Sequence, residues 1–256
     1  MLKFSKNNEK LEALKAISKK KVYSFSLLSG WTCPHAKLCL SKVHEVNGKR
    51  FIKDGPQTEF RCFSASQEAL YTNVYKSRKY NTEKVIETLR SGVDKLVNLI
   101  HVSLPKDAGI IRMHVAGDFL SKSYMLAWLE VIRNNPSIHF YAYTKSLPYW
   151  IEYKKEIDRL PNLILTASYG GRYDHLIEEH GLKSAKVVYS KYQARKLKLP
   201  IDTSDKYAAL PRYKNKSFSL LIHGQMPKGS KLARRWAKRK TLDGYGKGKH
   251  VTTSVA

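Results

Sequence analysis

Six short apolar runs recur along the chain, and they constrain its fold more than any other feature. They are VYSFSLLSG (22–30), GIIRMHVAGDF (109–119), IHFYAYTKS (138–146), NLILTASYGG (162–171), AKVVYS (185–190) and SFSLLIHG (217–224). Each has the length of a strand, and most are near-continuously apolar, as buried parallel strands are. Helical periodicity fills the gaps. In residues 82–104, Val85, Leu89, Val93, Leu96 and Ile100 share a face, with Asn81 or Thr82 as its cap. Residues 121–135 start at a Ser cap and stop before Pro136, and residues 147–160, 174–182 and 191–199 follow the same logic. Strands alternating with helices predict an α/β fold, a partial (βα)6 barrel-like parallel sheet. Residues 1–20 predict a basic N-terminal helical segment, 21–230 the α/β core domain and 231–256 a basic C-terminal tail.

In such folds sites gather at the carboxyl ends of the strands. Here those ends are polar or rich in glycine. Period-2 alternation puts Arg112, His114 and Ala116 on one face. It groups Tyr141, Tyr143 and Lys145 likewise, then Thr166 with Ser168, and Leu221 with His223 and Gln225. Polar side chains on one face of otherwise buried strands predict a wet cleft. GQMPKGS (224–230) offers backbone amides, Lys228 and a serine before a basic helix, which suits a phosphate.

All three cysteines fall early, in GWTCPHAKLC (30–39) and EFRCFSAS (59–66). Cys33 and Cys39 form C-x5-C, and Cys62 follows 23 positions later, after the first strand. An odd number of cysteines does not predict a disulfide framework. Three thiolates suit three irons of a 4Fe-4S cluster. With His35 or His44 they would instead suit zinc, and free thiols are the third reading.

Charge decides the partner class. Against 21 acidic residues stand 47 basic ones, a net charge of +26. That predicts a polyanionic partner, DNA or RNA. In residues 55–81, Arg61, Lys76, Arg78 and Lys79 are interleaved with Phe60, Phe63, Tyr71, Tyr75 and Tyr80, a mixture suited to unpaired bases. Arg172, Lys228, Arg234, Arg235, Lys238 and Arg239 extend the basic set. No apolar run is long enough to span a bilayer and no secretory leader is evident, so a cytoplasmic protein without a membrane partner is expected.

GWTCPHAKLC, DGPQTEFRCFSAS, RMHVAGDF, FYAYTKSLPYW, LTASYGGRYDHLIEE and LLIHGQMPKGS together resemble the gene-product-88 family of phage and prophage proteins, over roughly residues 22–246. The arrangement more distantly resembles the radical S-adenosylmethionine superfamily, although its tight C-x3-C-x2-C is absent. That second resemblance implies Cys33, Cys39 and Cys62 as cluster ligands and Gly117 and Asp118 as holders of the cofactor's amino group. Ser168, Gly170 and Gly171 would complete the cofactor site, and His114, Asp118, Lys145 and His223 would be the catalytic set. The implied activity is modification or processing of nucleic acid by an iron–sulfur enzyme. The competing readings are a DNA- or RNA-binding protein without catalysis, and a hydrolase using His114, Asp118 and His223 as acid and base.

Overall fold

The structure is a computed structural model that describes residues 1–6, 14, 21–222, 226–227, 229–230 and 233–234. Strand β1 (Ser5–Lys6) lies antiparallel on β2 (Lys21–Ser24). A long excursion follows: a hairpin of β3 (Ser41–Val46) and β4 (Lys49–Asp54), then helices α1 (Phe63–Leu70), α2 (Thr72–Arg90) and α3 (Val93–Ser103). The chain then alternates through β5 (Ala108–Met113), α4 (Lys122–Arg133), β6 (His139–Thr144), α5 (Leu147–Glu152), α6 (Lys154–Asp158) and β7 (Leu163–Ser168). It ends with α7 (His175–Glu179), β8 (Ser184–Val188), α8 (Lys191–Lys196), α9 (Lys206–Ala209) and β9 (Phe218–Leu221).

The main sheet has seven strands in the order β1-β2-β5-β6-β7-β8-β9. Every pairing from β2 to β9 is parallel. All six predicted runs therefore contain a strand of one mostly parallel sheet. The expected partial (βα)6 barrel-like sheet takes the form of a curled, mostly parallel seven-stranded half-barrel in a mixed α/β fold. Its order ends on β1 and β9, which do not pair with each other.

Alternation gives the sheet two different faces. One carries Ile111, Met113, Phe140, Ala142, Leu163 and Leu165 into a core with Leu96 and Ile100 of α3 and Trp128 of α4. Burial of each such large side chain stabilises the fold by about 1.5–3 kcal/mol. The other face presents Val22, Ile110, Tyr141, Ile164, Ala185 and Phe218, and it is covered by Leu14 and by Ala208 and Ala209 of α9. Farther along the same strands, toward their carboxyl ends, that face opens into a cavity.

Several local expectations are corrected. The 82–104 run is two helices, because Gly92 adopts φ +129 between α2 and α3. Asn81 and Thr82 lie inside α2 rather than at its start. Buried Asn81 instead exchanges hydrogen bonds with the backbone of Lys3, and Thr82 accepts one from Leu28 N. The 147–160 run divides at Tyr153. Within 1–20, Ser5–Lys6 is a strand and Leu14 is a buried helical residue; the remainder of that helix lies outside the described residues. The tail beyond Lys231 does too, except for Ala233 and Arg234. The hairpin was not anticipated at all. It turns on Asn47 (φ +49) and Gly48 (φ +74), the two-residue turn with both φ positive that Asn-Gly favours. Among the described residues no helix is long and apolar enough to cross a membrane.

Candidate functional site

The cavity has a volume of about 250 Å³ and lies against the carboxyl ends of the parallel strands. Cys33, Cys39 and Cys62 all line it, together with Arg61, Arg112, Asp118, Lys145 and Ser168. Two separate chain segments thus deliver their sulfur to one place.

The first segment continues from β2 beside the end of β5. Phe25 N donates to Arg112 O, and Leu27 N to Ala116 O. The loop from residue 30 to 40 then packs down tightly. Gly30 has φ +72, and a Cβ there would stand 2.3 Å from Ser41 O. Farther on, Lys37 N and Leu38 N donate to Gly170 O at 3.2 and 2.9 Å, and Arg172 N donates to His35 O. The second segment is fixed by Arg61, which forks onto Asp54 at 3.1 and 2.5 Å. Cys62 immediately follows, and its N–H points to Ser41 Oγ. The three cysteines are free thiols. Cys33 Sγ accepts a hydrogen bond from Gly30 N. Burial, with the Asp118 charge second, pushes the Cys33 thiol up; burial and neighbouring Cys39 push Cys62 up. Alone in the protein, both are neutral thiols at pH 7.

Asp118 is the hub of the adjoining wall. Its carboxylate accepts from Phe119 N (2.7 Å), Thr144 Oγ1 (2.6 Å) and Lys145 N (2.7 Å). Burial raises its pKa against the pull of those three donors. It ties the β5 exit to the β6 exit. Gly117, with φ +82, lets this segment approach Thr32, whose Oγ1 a Cβ would meet at 2.5 Å. Lys145 Nζ donates to Ser168 Oγ at 2.5 Å, both on the cavity wall.

Gly170 and Gly171 serve the cysteine loop. Their amides donate to the two carboxylate oxygens of Asp174, each at 2.8 Å, and the Gly170 carbonyl receives the loop. The expected cofactor amides are therefore already committed.

His114, like Arg112, lines the cavity. Its φ of +56 breaks the alternation, and the ring turns into a nest of Phe25, Phe119, Tyr124 and Trp128. Its Nε2 pairs with Tyr124 Oη at 2.9 Å. Burial lowers its pKa to about 3, so the imidazole stays neutral and is a poor proton acceptor. His223, the other candidate acid or base, lies outside the described residues.

Arg112 itself was not among the predicted site residues. It pairs with Asp205 at 2.7 Å, and Tyr141 Oη and Tyr143 Oη donate to the same carboxylate. Its Nε is buried without a partner. An arginine in the middle of GIIRMHV was the sequence signal: such a charge is buried only when paired.

Among the described residues no group of three or more His, Cys, Asp or Glu is placed to hold one metal ion. His35 lies edge-on between Tyr149 and Tyr173 with its Nε2 buried and without a hydrogen-bond partner, and His44 stacks on Phe51. A single zinc needs all its sulfurs about 2.3 Å from one point. Cluster thiolates each bind a different iron and stand farther apart.

The basic candidates divide. Lys76 and Arg172 are exposed, and so is Arg234; Lys79 is half-buried, 4.0 Å from Glu83. Arg61 faces the cavity in its pair with Asp54. Arg78 departs from the expected basic surface: it is buried against Glu68 at 3.0 Å. Glu68 also accepts from Ser29 N and Ser29 Oγ, and an arginine so enclosed has no face for phosphate. Lys228, Arg235, Lys238 and Arg239 lie outside the described residues, as do Gly224 and Gln225 of the GQMPKGS cradle.

A family model described as gene product 88 matches residues 2–241. The Gene 88 protein of Mycobacterium phage L5 is 26% identical over 122 residues, 45% of this chain and 44% of that protein. The alignment thus spans less than half of that relative. No solved structure matches. These comparisons bear out the first sequence resemblance and show no likeness to radical S-adenosylmethionine enzymes.

Proposed function

The chain thus belongs to the gene product 88 family of phage proteins, and on that premise we propose that it is a nucleic-acid-associated protein whose cavity holds an iron–sulfur cluster on Cys33, Cys39 and Cys62. One observation carries this reading. The chain's only cysteines come from two segments and line one cavity at the carboxyl edge of a parallel sheet. A bound cluster would supply an electron-transfer centre. The chain's own residues shape its surroundings. Asp174 anchors the loop that carries Cys33 and Cys39, and the Arg61–Asp54 fork anchors Cys62. Lys145, with the guanidiniums of Arg61 and Arg112 held in their pairs with Asp54 and Asp205, offers cationic donors on the cavity wall, which suits a cluster of thiolates or an anionic substrate beside it. The net charge of +26 supports the nucleic-acid part.

The wall expected to hold S-adenosylmethionine offers it few free polar groups. Gly170 and Gly171 have spent their amides on Asp174, and Asp118 already accepts three hydrogen bonds. Anaerobic purification with iron and sulfide analysis tests the cluster. Stoichiometric iron and sulfide, lost on replacing Cys33, Cys39 or Cys62 by Ser, are expected. Colourless, iron-free protein after reconstitution would leave the second reading, a nucleic-acid-binding protein with reduced thiols. That reading is favoured by the hydrogen bond from Gly30 N to Cys33 Sγ, which accommodates the sulfur without a metal.

A further inference from the structure

The β3–β4 hairpin has an inner and an outer face. On the inner face Val43 and Ile52 pack with Ala65 and Tyr75. Its carboxylates lie on that side as well: Glu45 opposite Arg50, and Asp54 with Arg61. The outer face collects the remaining pairs, Lys42 with Lys53, His44 with Phe51 and Val46 with Lys49.

Aromatic rings line up along that outer face. His44 stacks on Phe51 with centroids 5.5 Å apart and planes 15° from parallel. Trp31, from the cysteine loop, meets His44 at 5.1 Å. Its indole is held by a hydrogen bond from Nε1 to Val43 O. Yet Trp31 is 49% exposed and Phe51 46%. Cations surround them. Lys42 Nζ stands 4.5 Å from the Trp31 ring centroid. Lys42 and Lys53 face each other directly, a like-charge pair that costs the ribbon stability. Among the described residues none of Lys42, Lys49 and Lys53 has an acidic partner.

We propose that this face binds a single strand of nucleic acid, whose bases stack on Trp31 and Phe51 and whose phosphates meet Lys42, Lys49 and Lys53. The chemistry selects that partner. An apolar protein surface would strand three lysines away from water. An acidic peptide would satisfy the lysines and leave the rings idle. A duplex hides its base faces, whereas an unpaired strand offers bases and charge together. Trp31 and Cys33 belong to one loop, so the platform adjoins the cavity.

The inference rests on the nucleic-acid part of the reading above. Fluorescence anisotropy of the full chain with a labelled thymidine oligonucleotide, and with a duplex, tests it across a salt series. Trp31→Ala with Phe51→Ala lowers single-strand affinity about tenfold or more and leaves the salt slope unchanged. Lys49→Gln with Lys53→Gln reduces the salt slope by about 1.4. Aromatic variants that bind within twofold of the parent would overturn the platform. So would polyglutamate that displaces the strand equally well from parent and aromatic variant, because charge alone would then explain binding. If Trp31→Ala does not fold, Phe51→Ala, which removes no hydrogen bond, carries the same expectation. A parent chain that binds no single strand removes the nucleic-acid reading together with this one. A parent that binds, with variants unaffected, removes only this one, and iron content bears on neither.

Discussion

Arg112 and Asp205 meet at 2.7 Å beneath the cavity, the one from β5 and the other from the residue just before α9. The Asp205 side chain is fully buried, and its backbone adopts φ +58. Asp205→Asn keeps the shape and a residue that tolerates the left-handed conformation. It removes the charge and one of the two oxygens that accept from Tyr141 and Tyr143. Leaving Arg112 buried and unpaired should cost about 3 kcal/mol or more. Denaturant unfolding would show this as a lower midpoint at unchanged slope.

His114 predicts an acid limb in stability. Its pKa lies near 3 in the folded chain and near 6.5 unfolded, because burial disfavours the imidazolium. Between those values the unfolded chain binds the extra proton. Stability therefore falls as pH drops through that window, by about 1.4 kcal/mol per pH unit from this group. His114→Asn, which also accepts a positive φ, should be less stable at pH 7 but lose less on acidification. Equal slopes from pH 6.5 to 4 would contradict the assignment.

Asp174 holds the dock of the cysteine loop. Asp174→Ala leaves the Gly170 and Gly171 amides without their partners, at a cost of about 1–2 kcal/mol to the local structure. Local opening of residues 33–39 should become more frequent, so Cys39 should alkylate about tenfold faster with little change in global stability. Unchanged alkylation kinetics would show that the loop is held by other contacts.

Gly117 and Gly181 make a matched pair. Both have positive φ, +82 and +57, but a Cβ at Gly181 meets nothing within 4 Å. Gly181→Ala should cost about 1 kcal/mol of backbone strain. Gly117→Ala adds a clash with Thr32 and Leu27 and should cost about 2 kcal/mol more. Thermal unfolding of the two variants separates strain from crowding.

The six parallel strands were legible because helices cover them, so their sequences are almost uninterruptedly apolar. Arg112 within β5 was equally visible, and only its weight was underestimated. His114 departs from strand alternation for a backbone reason that no sequence pattern shows: it takes a left-handed conformation at the strand end, with its ring packed among aromatic side chains. Arg78 looked like a surface cation because a sequence does not show that Glu68, ten positions earlier, is buried beside it. The β3–β4 hairpin carried a clear local signal in VNGK, overshadowed by the cysteines on either side of it. Docking of the 35–38 backbone on Gly170 and Gly171 left no local trace, since its partners are brought together only by the complete sheet.

That docking also sets a timetable. The cysteines are synthesised early, whereas the glycines that seat their loop emerge only with the turn after β7. Contacts so distant along the chain form late, after the closure entropy of everything between them has been met. Until then Cys33 and Cys39 belong to an open, water-accessible nascent segment. Closure of the pocket around those thiols therefore waits on chain made more than a hundred residues after them.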